Sequence, residues 1–222
     1  MKNISLIIPA KNERESLYRT LSEVKKIKFI NEIIIIVDNK DDNSISDIEN
    51  FKKKIIIQKK KGYGSAIIEG FNFATNQYAC IFNADYSFDP KYLKMMIKKT
   101  KEYEFIFGSR YMKYGSSDDD TIITFIGNQI FTFLSKLLLK INLSDVLFTY
   151  VLCNVKNFKE LKLKSNDFRL CIELPYQIQK KKFKYTEIPT RERKRFAGTK
   201  KVNELKDGFL ILMKILECFF KK

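Results

Sequence analysis

The sequence contains no histidine and no tryptophan, and its 222 residues include only 8 glycines and 4 prolines. Without histidine, the chain can form neither a Ser-His-Asp or Cys-His catalytic group nor a histidine metal site. Any acid–base or metal chemistry must therefore rely on carboxylates, amides, lysine or tyrosine. The length suits one domain with a sizeable core, and an apolar content of 45% is too high for a disordered basic tail.

Paired cysteines and long uncharged apolar runs are also missing. The scattered cysteines are Cys80, Cys153, Cys171 and Cys218. Because none of them forms a Cys-x-x-Cys pair, we expect buried free thiols in a reducing compartment instead of disulfides or zinc. The first residues lack the layout of a signal peptide, and no uncharged apolar run reaches the roughly 20 residues of a membrane span. We therefore expect a cytoplasmic protein that at most lies peripherally on the cytoplasmic face of a membrane.

Positive charge is in large excess, with 42 Lys and Arg against 26 Asp and Glu, for a net charge of +16. Such a charge predicts attraction to anions, which include nucleic acid, a lipid surface and phosphorylated small molecules. Abundant lysine beside isoleucine, phenylalanine and asparagine is also the bias of an AT-rich genome. The charge alone therefore does not identify a partner.

The first half alternates short β-branched runs with helix-like stretches. The predicted strands are residues 4–8, 33–37, 55–57, 78–82 and 105–107. Capping patterns predict helices that begin near Asn12 and Ser46, a third helix follows Gly62-Tyr63-Gly64, and a fourth begins at Asp89-Pro90. Apolar strands that alternate with helices predict an α/β fold with a mostly parallel sheet covered on both faces.

The second half has a different pattern. An acidic loop at 116–120 precedes a predicted helix over 121–143, and later elements are a helix at 167–181, a strand at 183–188, a basic loop at 190–201 and a helix at 203–220. The two amphipathic helices, 121–143 and 203–220, are expected either to pack in the core or to lie on an anionic membrane surface. No repeat or linker divides the chain, so one continuous domain over residues 1–222 is predicted.

Polar side chains follow the predicted strands at their carboxyl ends, where ligands bind in parallel sheets. Asp38 follows the second strand and can accept hydrogen bonds from a base or ribose. Asn83 and Asp85 follow the fourth, and their oxygens suit Mg²⁺ or Mn²⁺. Gly62-Tyr63-Gly64 allows a close backbone approach to phosphate, although it completes neither a dinucleotide fingerprint nor a P-loop. Each residue singly could be a loop cap, but together they predict one ligand crevice.

Seven segments carry a family resemblance in a fixed order. They are SLIIPAKNE (5–13), IIIVDNKDDNS (34–44), KKGYGSAIIEGFNFA (60–74), NADYSFDP (83–90), GSRY (108–111), SDVLFTY (144–150) and Arg195-x-x-Gly198-x-x-Lys201. In this order they resemble the family-2 glycosyltransferases of the GT-A fold, most closely the dolichyl- or polyprenyl-phosphate sugar transferase branch.

The resemblance implies a Rossmann-like GT-A fold, with a nucleotide-sugar-binding half over 1–115. It implies an acceptor-side half over 116–222, which contains the basic loop 190–201 and a C-terminal amphipathic helix. The implied enzyme is an inverting glycosyltransferase that moves a sugar from a GDP- or UDP-sugar to a polyprenyl phosphate or a surface-glycan precursor. A divalent cation, Mg²⁺ or Mn²⁺, is implied as its cofactor.

The resemblance also implies roles for individual residues. The donor would contact Pro9, Ala10, Glu13, Asp38, Gly64, Asn83, Ala84 and Asp85. Asp85 would hold the cation, and Asn83 would either hold it weakly or contact the ribose. Arg195 and Lys201 would stabilise the leaving diphosphate, and Arg110 would position an acceptor phosphate. A hydroxyl acceptor would need a base, for which Asp145 is the first candidate and Glu173 the second. The implied catalytic residues are thus Asp85, Asp145, Arg195 and Lys201.

The chain departs from the family pattern at three positions. Asn83 replaces the first acid of the metal motif, Asn39 replaces the second acid of the nucleotide segment, and Lys200 replaces a serine. Asn83 leaves open a catalytically weakened family member. A sugar nucleotidyltransferase is a second alternative, although that class has a glycine-rich loop after the first strand and residues 9–13 contain no glycine. Nucleic-acid binding is supported only by the charge, and the acidic strand ends would repel a phosphate backbone, so no nucleic-acid partner is expected.

Overall fold

The computed structural model describes residues 2–221, which form a seven-stranded, mostly parallel sheet flanked by helices. The strands are β1 (Ile4–Ala10), β2 (Ile30–Val37), β3 (Lys54–Ile57), β4 (Tyr78–Ile81), β5 (Phe105–Ser109), β6 (Ser116–Ser117), β7 (Val151–Asn154), β8 (Tyr185–Pro189) and β9 (Arg191–Glu192). The large sheet has the order β3-β2-β1-β4-β7-β5-β8, and β6 pairs with β9 beside it. The five strands predicted for the first half are confirmed.

One strand of the large sheet was missed by the sequence reasoning. The four-residue strand β7 inserts between β4 and β5 and runs antiparallel to both, whereas the other neighbouring pairs of this sheet are parallel. The insertion brings a strand from the second half of the chain into the centre of the sheet formed by the first half. This topology confirms the prediction of a mostly parallel sheet and joins both halves into one domain.

The helices cover both faces of the sheet. They are α1 (Arg14–Val24), α2 (Tyr63–Phe73), α3 (Leu93–Lys99), α4 (Ile122–Leu139), α5 (Val155–Glu160), α6 (Leu170–Lys180) and α7 (Glu204–Phe220). Successive residues of β1 face opposite sides, so Ile7 packs in the layer under α2 while Ile8 packs in the layer under α1. A Cβ at Gly70 would lie 2.4 Å from the Ile7 side chain, which shows how closely α2 approaches the sheet.

The capping predictions at Asn12 and Ser46 are wrong. Asn12 is in the left-handed region with φ 53°, and α1 begins at Arg14 without a side-chain cap. In place of that cap, the Glu13 amide donates to Ser44 Oγ at 2.9 Å, and the Asn12 amide donates to Asp42 Oδ1 at 3.1 Å. Asp42 also caps a single 3-10 turn over Asn43–Ile45, so no helix begins at Ser46. The loop after β2 thus accepts hydrogen bonds from the backbone amides just before α1, and these bonds connect the carboxyl ends of β1 and β2.

The helix predicted over 121–143 is shorter than expected. Thr121, the first residue of the predicted range, caps the helix, but the helix ends at Leu139 because Lys140 takes a left-handed conformation with φ 61°. Beyond it, Ile141 and Leu143 turn into the core. The cap at Asp89-Pro90 is confirmed, since Asp89 accepts from the Lys91 amide, although it starts a 3-10 turn that leads into α3.

Helix α4 is not the core helix that its composition allowed. Of its 18 residues only Thr132, Ser135 and Leu139 are buried. Its exposed apolar side chains are Ile122, Ile123, Phe125, Ile126, Ile130, Phe133 and Leu137, and those of α7 are Leu205, Phe209, Met213, Phe219 and Phe220. Within residues 2–221, α4 is the one helix whose length and hydropathy would suffice to cross a membrane.

Helix α7 is partly buried and packs beside α4. Ile211, Ile215 and Cys218 face the core, and a Cβ at Gly208 would lie 3.7 Å from the Phe131 ring of α4. The four cysteines of the chain, all within the described residues, are buried and free, as predicted.

Candidate active site

A cleft of about 440 Å³ lies at the carboxyl ends of the parallel strands. Predicted site residues that line it are Pro9, Ala10, Glu13, Asp38, Asn83, Ala84, Asp85, Arg110, Arg195 and Lys201. They come from the ends of β1, β2, β4 and β5 and from the basic loop after β9. The convergence that the strand ends predict is therefore present in the structure.

Two carboxylates that follow β1 and β4 in the cleft share one guanidinium. Arg195 donates from Nη1 to Glu13 Oε1 and from Nη2 to Asp85 Oδ2, both at 2.9 Å. Lys201 Nζ lies 3.5 Å from the same Glu13 oxygen. Burial raises the pKa of Glu13, while the charges of Arg195 and Lys201 act to lower it. Acidic and basic groups thus form one compact network at the ends of β1 and β4.

This network leaves two polar atoms unsatisfied. Among the described residues, Glu13 Oε2 and Arg195 Nε are buried without a hydrogen-bond partner. The other carboxylate is better supplied, because Asp85 Oδ1 accepts from the Ser87 amide at 3.0 Å and from its hydroxyl at 2.6 Å. A ligand bound at this place in the cleft could supply the partners that these two atoms lack.

The basic loop is held in place by residues on both sides of Arg195. Arg193 forms two hydrogen bonds of 3.0 Å with the Glu23 carboxylate and lies over the Tyr86 ring at 3.9 Å. Phe196 packs under the Arg19 guanidinium at 3.7 Å. The backbone then turns at Gly198 with φ 79°, where a Cβ would lie only 3.3 Å from Glu13 Oε2. The loop before Gly198 is docked, whereas Lys201 beyond it is joined to the cleft by a single ion pair to Glu13.

The end of β2 presents an acid that is already oriented. Asp38 Oδ1 accepts from Gln58 Nε2 at 2.8 Å, and Asp38 Oδ2 pairs with Lys11 at 2.5 Å. Gln58 also lines the cleft and was not identified from the sequence. The Gln58 amide thus fixes the orientation of the Asp38 carboxylate, and both side chains lie at the wall of the cleft.

Gly64 has a different environment from the other predicted donor residues. Gly62 and Tyr63 line the cleft, but Gly64 is absent from its lining. A Cβ at Gly64 would lie 2.3 Å from the Ser165 carbonyl oxygen and 2.8 Å from that of Asp167. The glycine is therefore required for the close packing of α2 against residues 165–167.

Arg110 is the centre of a second, more deeply buried network. Its Nε and Nη2 donate to the two oxygens of Asp145 at 2.7 and 2.9 Å, and its backbone amide adds a third bond at 3.1 Å. Its Nη1 donates to Glu192 at 3.2 Å and to Asp120 at 3.4 Å. Burial alone lowers the pKa of Arg110, but Asp145 and Glu192 raise it well above its ordinary value.

The two base candidates have structural partners. Asp145 is fully buried and engaged by Arg110. Glu173 does not line the cleft, and its carboxylate accepts from the backbone amides of Ser165 at 2.6 Å and Lys164 at 3.1 Å. The geometry therefore gives Asp145 the environment of a counter-ion and Glu173 that of a loop anchor.

Four acids that the sequence reasoning did not single out as site residues also line the cleft, namely Asp119, Asp120, Glu192 and Glu204. Glu192 accepts from Ser117 Oγ at 2.5 Å, and burial raises its pKa against the lowering effects of Arg110 and Ser117. Asp119 and Asp120 belong to the acidic loop, and Glu192 stands within a basic run. The acidic loop was the one signal in the sequence that could have identified Asp119 and Asp120.

The cleft near Asp85 carries few metal-ligating groups. Over residues 2–221 no cluster of three or more His, Cys, Asp or Glu side chains is arranged to hold a metal ion. Asn83 lines the cleft, and its Nδ2 donates to Ser87 Oγ at 3.4 Å. Oxygen ligands that remain for a cation are those of Asp85, Glu13 and the Asn83 amide, which suits an ion that shares its coordination with substrate phosphates.

A family model decides the classification. The model of glycosyl transferase family 2 matches residues 5–162. The chain belongs to this family. The match spans six of the seven segments that carry the sequence resemblance, from SLIIPAKNE to SDVLFTY, and confirms that resemblance; the segment at 195–201 lies beyond the matched residues.

Curated relatives are similar over part or all of the chain. The dolichol-phosphate mannosyltransferase of Pyrococcus furiosus is 29% identical over 124 residues, which cover 52% of this chain and 35% of that protein. The undecaprenyl-phosphate 4-deoxy-4-formamido-L-arabinose transferase of Proteus mirabilis is 29% identical over 121 residues, or 50% and 37%. Glycosyltransferase AglJ of Haloferax volcanii is 22% identical over 217 residues, or 96% and 70%. The matched region thus spans little more than a third of the first two relatives.

Solved structures confirm the fold. Glucosyl-3-phosphoglycerate synthase from Mycobacterium tuberculosis, in complex with Mn²⁺, UDP and glucosyl-3-phosphoglycerate, superimposes with a TM-score of 0.75 at 10% identity. The superposition covers 99% of this chain and 80% of that one. The same enzyme with Mg²⁺ and UDP gives a TM-score of 0.74 at 12% identity, with the same coverage. The predicted single-domain GT-A fold is therefore confirmed.

Proposed function

We propose that the protein is an inverting glycosyltransferase that transfers a sugar from a UDP- or GDP-sugar to a polyprenyl phosphate at a membrane surface. The observation that carries the proposal is the convergence of Asp38, Asp85, Arg195 and Lys201 in one cleft at the carboxyl ends of the strands. Relatives named for dolichol-phosphate and undecaprenyl-phosphate substrates, and a structural neighbour that binds UDP, support it.

The donor occupies the side of the cleft that is lined by residues from the first half of the chain, between Pro9 and Phe88. Asp38 accepts from the base or ribose while Gln58 holds its carboxylate in place. Pro9, Ala10 and Ala84 form the wall of the cleft beside it. The diphosphate lies toward Arg195 and Lys201, whose positive charges stabilise the negative charge that develops on the leaving group.

The residues present fit a divalent cation on the donor side. Asp85, with the Asn83 amide oxygen, would hold it, and a bound Mg²⁺ or Mn²⁺ supplies further electrostatic stabilisation of the diphosphate. The acceptor oxygen attacks the anomeric carbon in line, so the new glycosidic bond forms as the bond to the diphosphate breaks. A phosphate oxygen is already anionic and needs no proton acceptor, which agrees with the lack of histidine.

The acids around Arg110 favour a second class of acceptor, a glycan hydroxyl. Each side-chain nitrogen of Arg110 donates to a carboxylate, so a phosphate acceptor would have to be held by the lysines of the basic loop. Glu192 lines the cleft, is oriented by Arg110 and Ser117, and has a raised pKa. If the acceptor is a glycan hydroxyl, Glu192 is placed to take its proton as the glycosidic bond forms, in preference to Asp145.

A transfer assay distinguishes these acceptors. Labelled UDP- and GDP-sugars are offered together with undecaprenyl phosphate in vesicles or with a soluble glycan, in the presence of Mn²⁺. The proposal expects label in the lipid, unaffected by Glu192→Gln and lost in Asp85→Asn, with the exposed Glu49→Gln as the control. Label in the glycan that disappears in Glu192→Gln would support the second class. No transfer to either acceptor from any donor would contradict glycosyl transfer.

Helices α4 and α7 are the proposed membrane contact, on the cytoplasmic face. Both carry exposed apolar stripes beside exposed lysines, which are Lys136 and Lys140 at α4 and Lys206 and Lys221 at α7. Asn128 of α4 and Ile211 of α7 also line the cleft, so a lipid that contacts these helices has its headgroup near the donor. Apolar insertion together with anionic attraction is the binding mode of interfacial helices.

Vesicle sedimentation tests this contact. The wild type should sediment with anionic vesicles more than with neutral ones, and Phe133→Glu with Phe209→Glu should weaken binding at least about tenfold through lost apolar burial. The control is Phe73→Glu, which alters an exposed phenylalanine at the end of α2. Equal binding by the double variant and the control would exclude α4 and α7 as the contact.

A further inference from the structure

Glu13 has one carboxylate oxygen that is buried without a hydrogen-bond partner in residues 2–221. It is only 6% exposed, its Oε1 is engaged by Arg195, and its Oε2 has no hydrogen-bond partner within the described part of the chain. A buried carboxylate oxygen without a partner costs free energy in the folded state. A cation that reached this oxygen would remove the cost.

Asp85 lies on the other side of the same guanidinium. Because Arg195 holds Glu13 with Nη1 and Asp85 with Nη2, both at 2.9 Å, the two acids flank a single positive group. A divalent cation that is bound through one or two carboxylates and shares its remaining positions with phosphates and water fits such a pair. Asn83, two residues before Asp85, contributes an amide and no negative charge.

We propose that Glu13 and Asp85 together form the divalent cation site, with Glu13 supplying the carboxylate that Asn83 lacks. Arg195 is the cation that neutralises this site before the donor arrives, and it moves to the donor diphosphate when the divalent ion binds. The inference rests on the proposed function and assigns to Glu13 a metal ligation that the family resemblance does not.

The replacement of Arg195 by a divalent cation at Glu13 and Asp85 couples cation binding to nucleotide binding. A divalent cation alone must displace Arg195 and leave its guanidinium without a carboxylate. When a nucleoside diphosphate binds too, its phosphates accept the released guanidinium and share the cation. The cation and the nucleotide should therefore each increase the affinity for the other, because binding couplings are reciprocal.

Mn²⁺ binding followed by electron paramagnetic resonance tests the proposal without turnover. Wild-type protein is titrated with Mn²⁺, with and without UDP or GDP, against a blank of Mn²⁺ and nucleotide. We expect binding at least about tenfold tighter with nucleotide, and a loss of about tenfold or more in Glu13→Gln and in Asp85→Asn. The surface control Glu49→Gln should stay within about twofold of the wild type, and Asn83→Ala should lose less Mn²⁺ affinity than Glu13→Gln does.

Arg195→Gln should change the Mn²⁺ affinity in the opposite direction to Glu13→Gln and Asp85→Asn. Without the competing guanidinium it should bind Mn²⁺ alone more tightly than the wild type, and the gain from added nucleotide should shrink. Circular dichroism melts establish that each variant is folded before its titration is interpreted.

The outcomes separate this inference from the proposed function. Full Mn²⁺ affinity in Glu13→Gln with a loss in Asn83→Ala would place the cation on the Asn83 side and overturn the inference. Calorimetric binding of UDP or GDP that is equally tight with and without Mn²⁺ would also overturn it, while leaving the nucleotide-sugar proposal intact. Failure of the wild type to bind any nucleotide would count against the proposed function itself.

Discussion

Two arginines face the same cleft in opposite situations. Arg110 is 8% exposed, stands at the end of β5, and donates from every side-chain nitrogen to Asp145, Glu192 or Asp120. Arg195 is 15% exposed, lies on the loop that turns at Gly198, and has an Nε without a partner among residues 2–221. Both belong to segments that resemble phosphate-binding motifs, and only the structure distinguishes them.

The difference shows which positive charge remains available to a ligand. Arg110 pairs with three carboxylates, Asp120, Asp145 and Glu192, so its charge is already balanced within the fold. Arg195 lies on a loop that turns at Gly198 and is shared by two carboxylates, Glu13 and Asp85. We therefore propose that Arg110 has a structural role in the cleft and that Arg195 exchanges its carboxylates for phosphate oxygens.

The largest expected effect is on stability at Arg110. Arg110→Met leaves Asp145 buried without its counter-ion, so the free energy of unfolding should fall by about 3–5 kcal/mol. Arg195→Gln should cost about 1 kcal/mol, since Lys201 still faces Glu13. Urea denaturation measures both, with the exposed Arg191→Gln as a control expected within about 0.5 kcal/mol of the wild type. Equal losses at Arg110 and Arg195 would break the comparison.

The next effect is on transfer and concerns Arg195. Arg195→Gln should lower kcat/KM for the nucleotide-sugar by about a hundredfold, because a cation that stabilises the leaving diphosphate is lost. Arg195→Lys retains the charge and should recover part of this rate. Initial rates with labelled donor give the values. A variant that transfers sugar as fast as the wild type would remove Arg195 from the reaction.

A carboxylate outside the cleft provides a reference for the stability of such networks. Burial alone raises the pKa of Glu32, but hydrogen bonds from Lys54, Ser5 and Thr75 lower it to about 2. The folded state therefore gains stability from this ionised group above pH 4.5 and loses it as the pH falls toward about 2. Glu32→Gln should be about 1–2 kcal/mol less stable than the wild type at pH 7 and nearly equal to it near pH 2. A difference that does not depend on pH would contradict the assignment.

The smallest effect on stability is expected at Glu192, which lies next to Arg110. Its dependence on pH is opposite to that of Glu32. Its pKa is raised by burial, although Arg110 and Ser117 act to lower it, so the folded state holds its proton more tightly than the unfolded chain does. The wild type therefore loses stability as the pH rises from 4.5 through the raised pKa. Relative to the wild type, Glu192→Gln should become more stable over this range in urea titrations at several pH values. A trend in the other direction would show that Arg110 outweighs burial.

The sequence predicted the parts of the fold that are encoded locally. Apolar β-branched runs identified the strands of the first half, and the polar residues after them identified the cleft. The pair of Arg110 and Asp145 spans 35 residues, and no spacing rule marks such a partnership. Glu192 was hidden by the basic residues around it, although it lies in the same network.

Helix α4 shows a different limit of local patterns. Its apolar residues predict an apolar face but do not say what covers it, and the structure leaves Ile126, Ile130 and Phe133 exposed. Similarly, the helix expected at Ser46 did not form because Asp42 caps a shorter turn that also supports the start of α1. Both outcomes depend on contacts between segments far apart in the chain.

The most direct test of the central claim is a thermal-shift measurement with UDP-, GDP- and dTDP-sugars in the presence of Mn²⁺. One nucleotide-sugar, at about 100 times its Kd, should stabilise the fold by about 2.7 kcal/mol and raise Tm by roughly 5–10 °C. Asp85→Asn should lose most of this shift with the same ligand. A wild-type protein that is folded and gives no shift with any member of the panel would contradict the assignment of the cleft to a nucleotide-sugar.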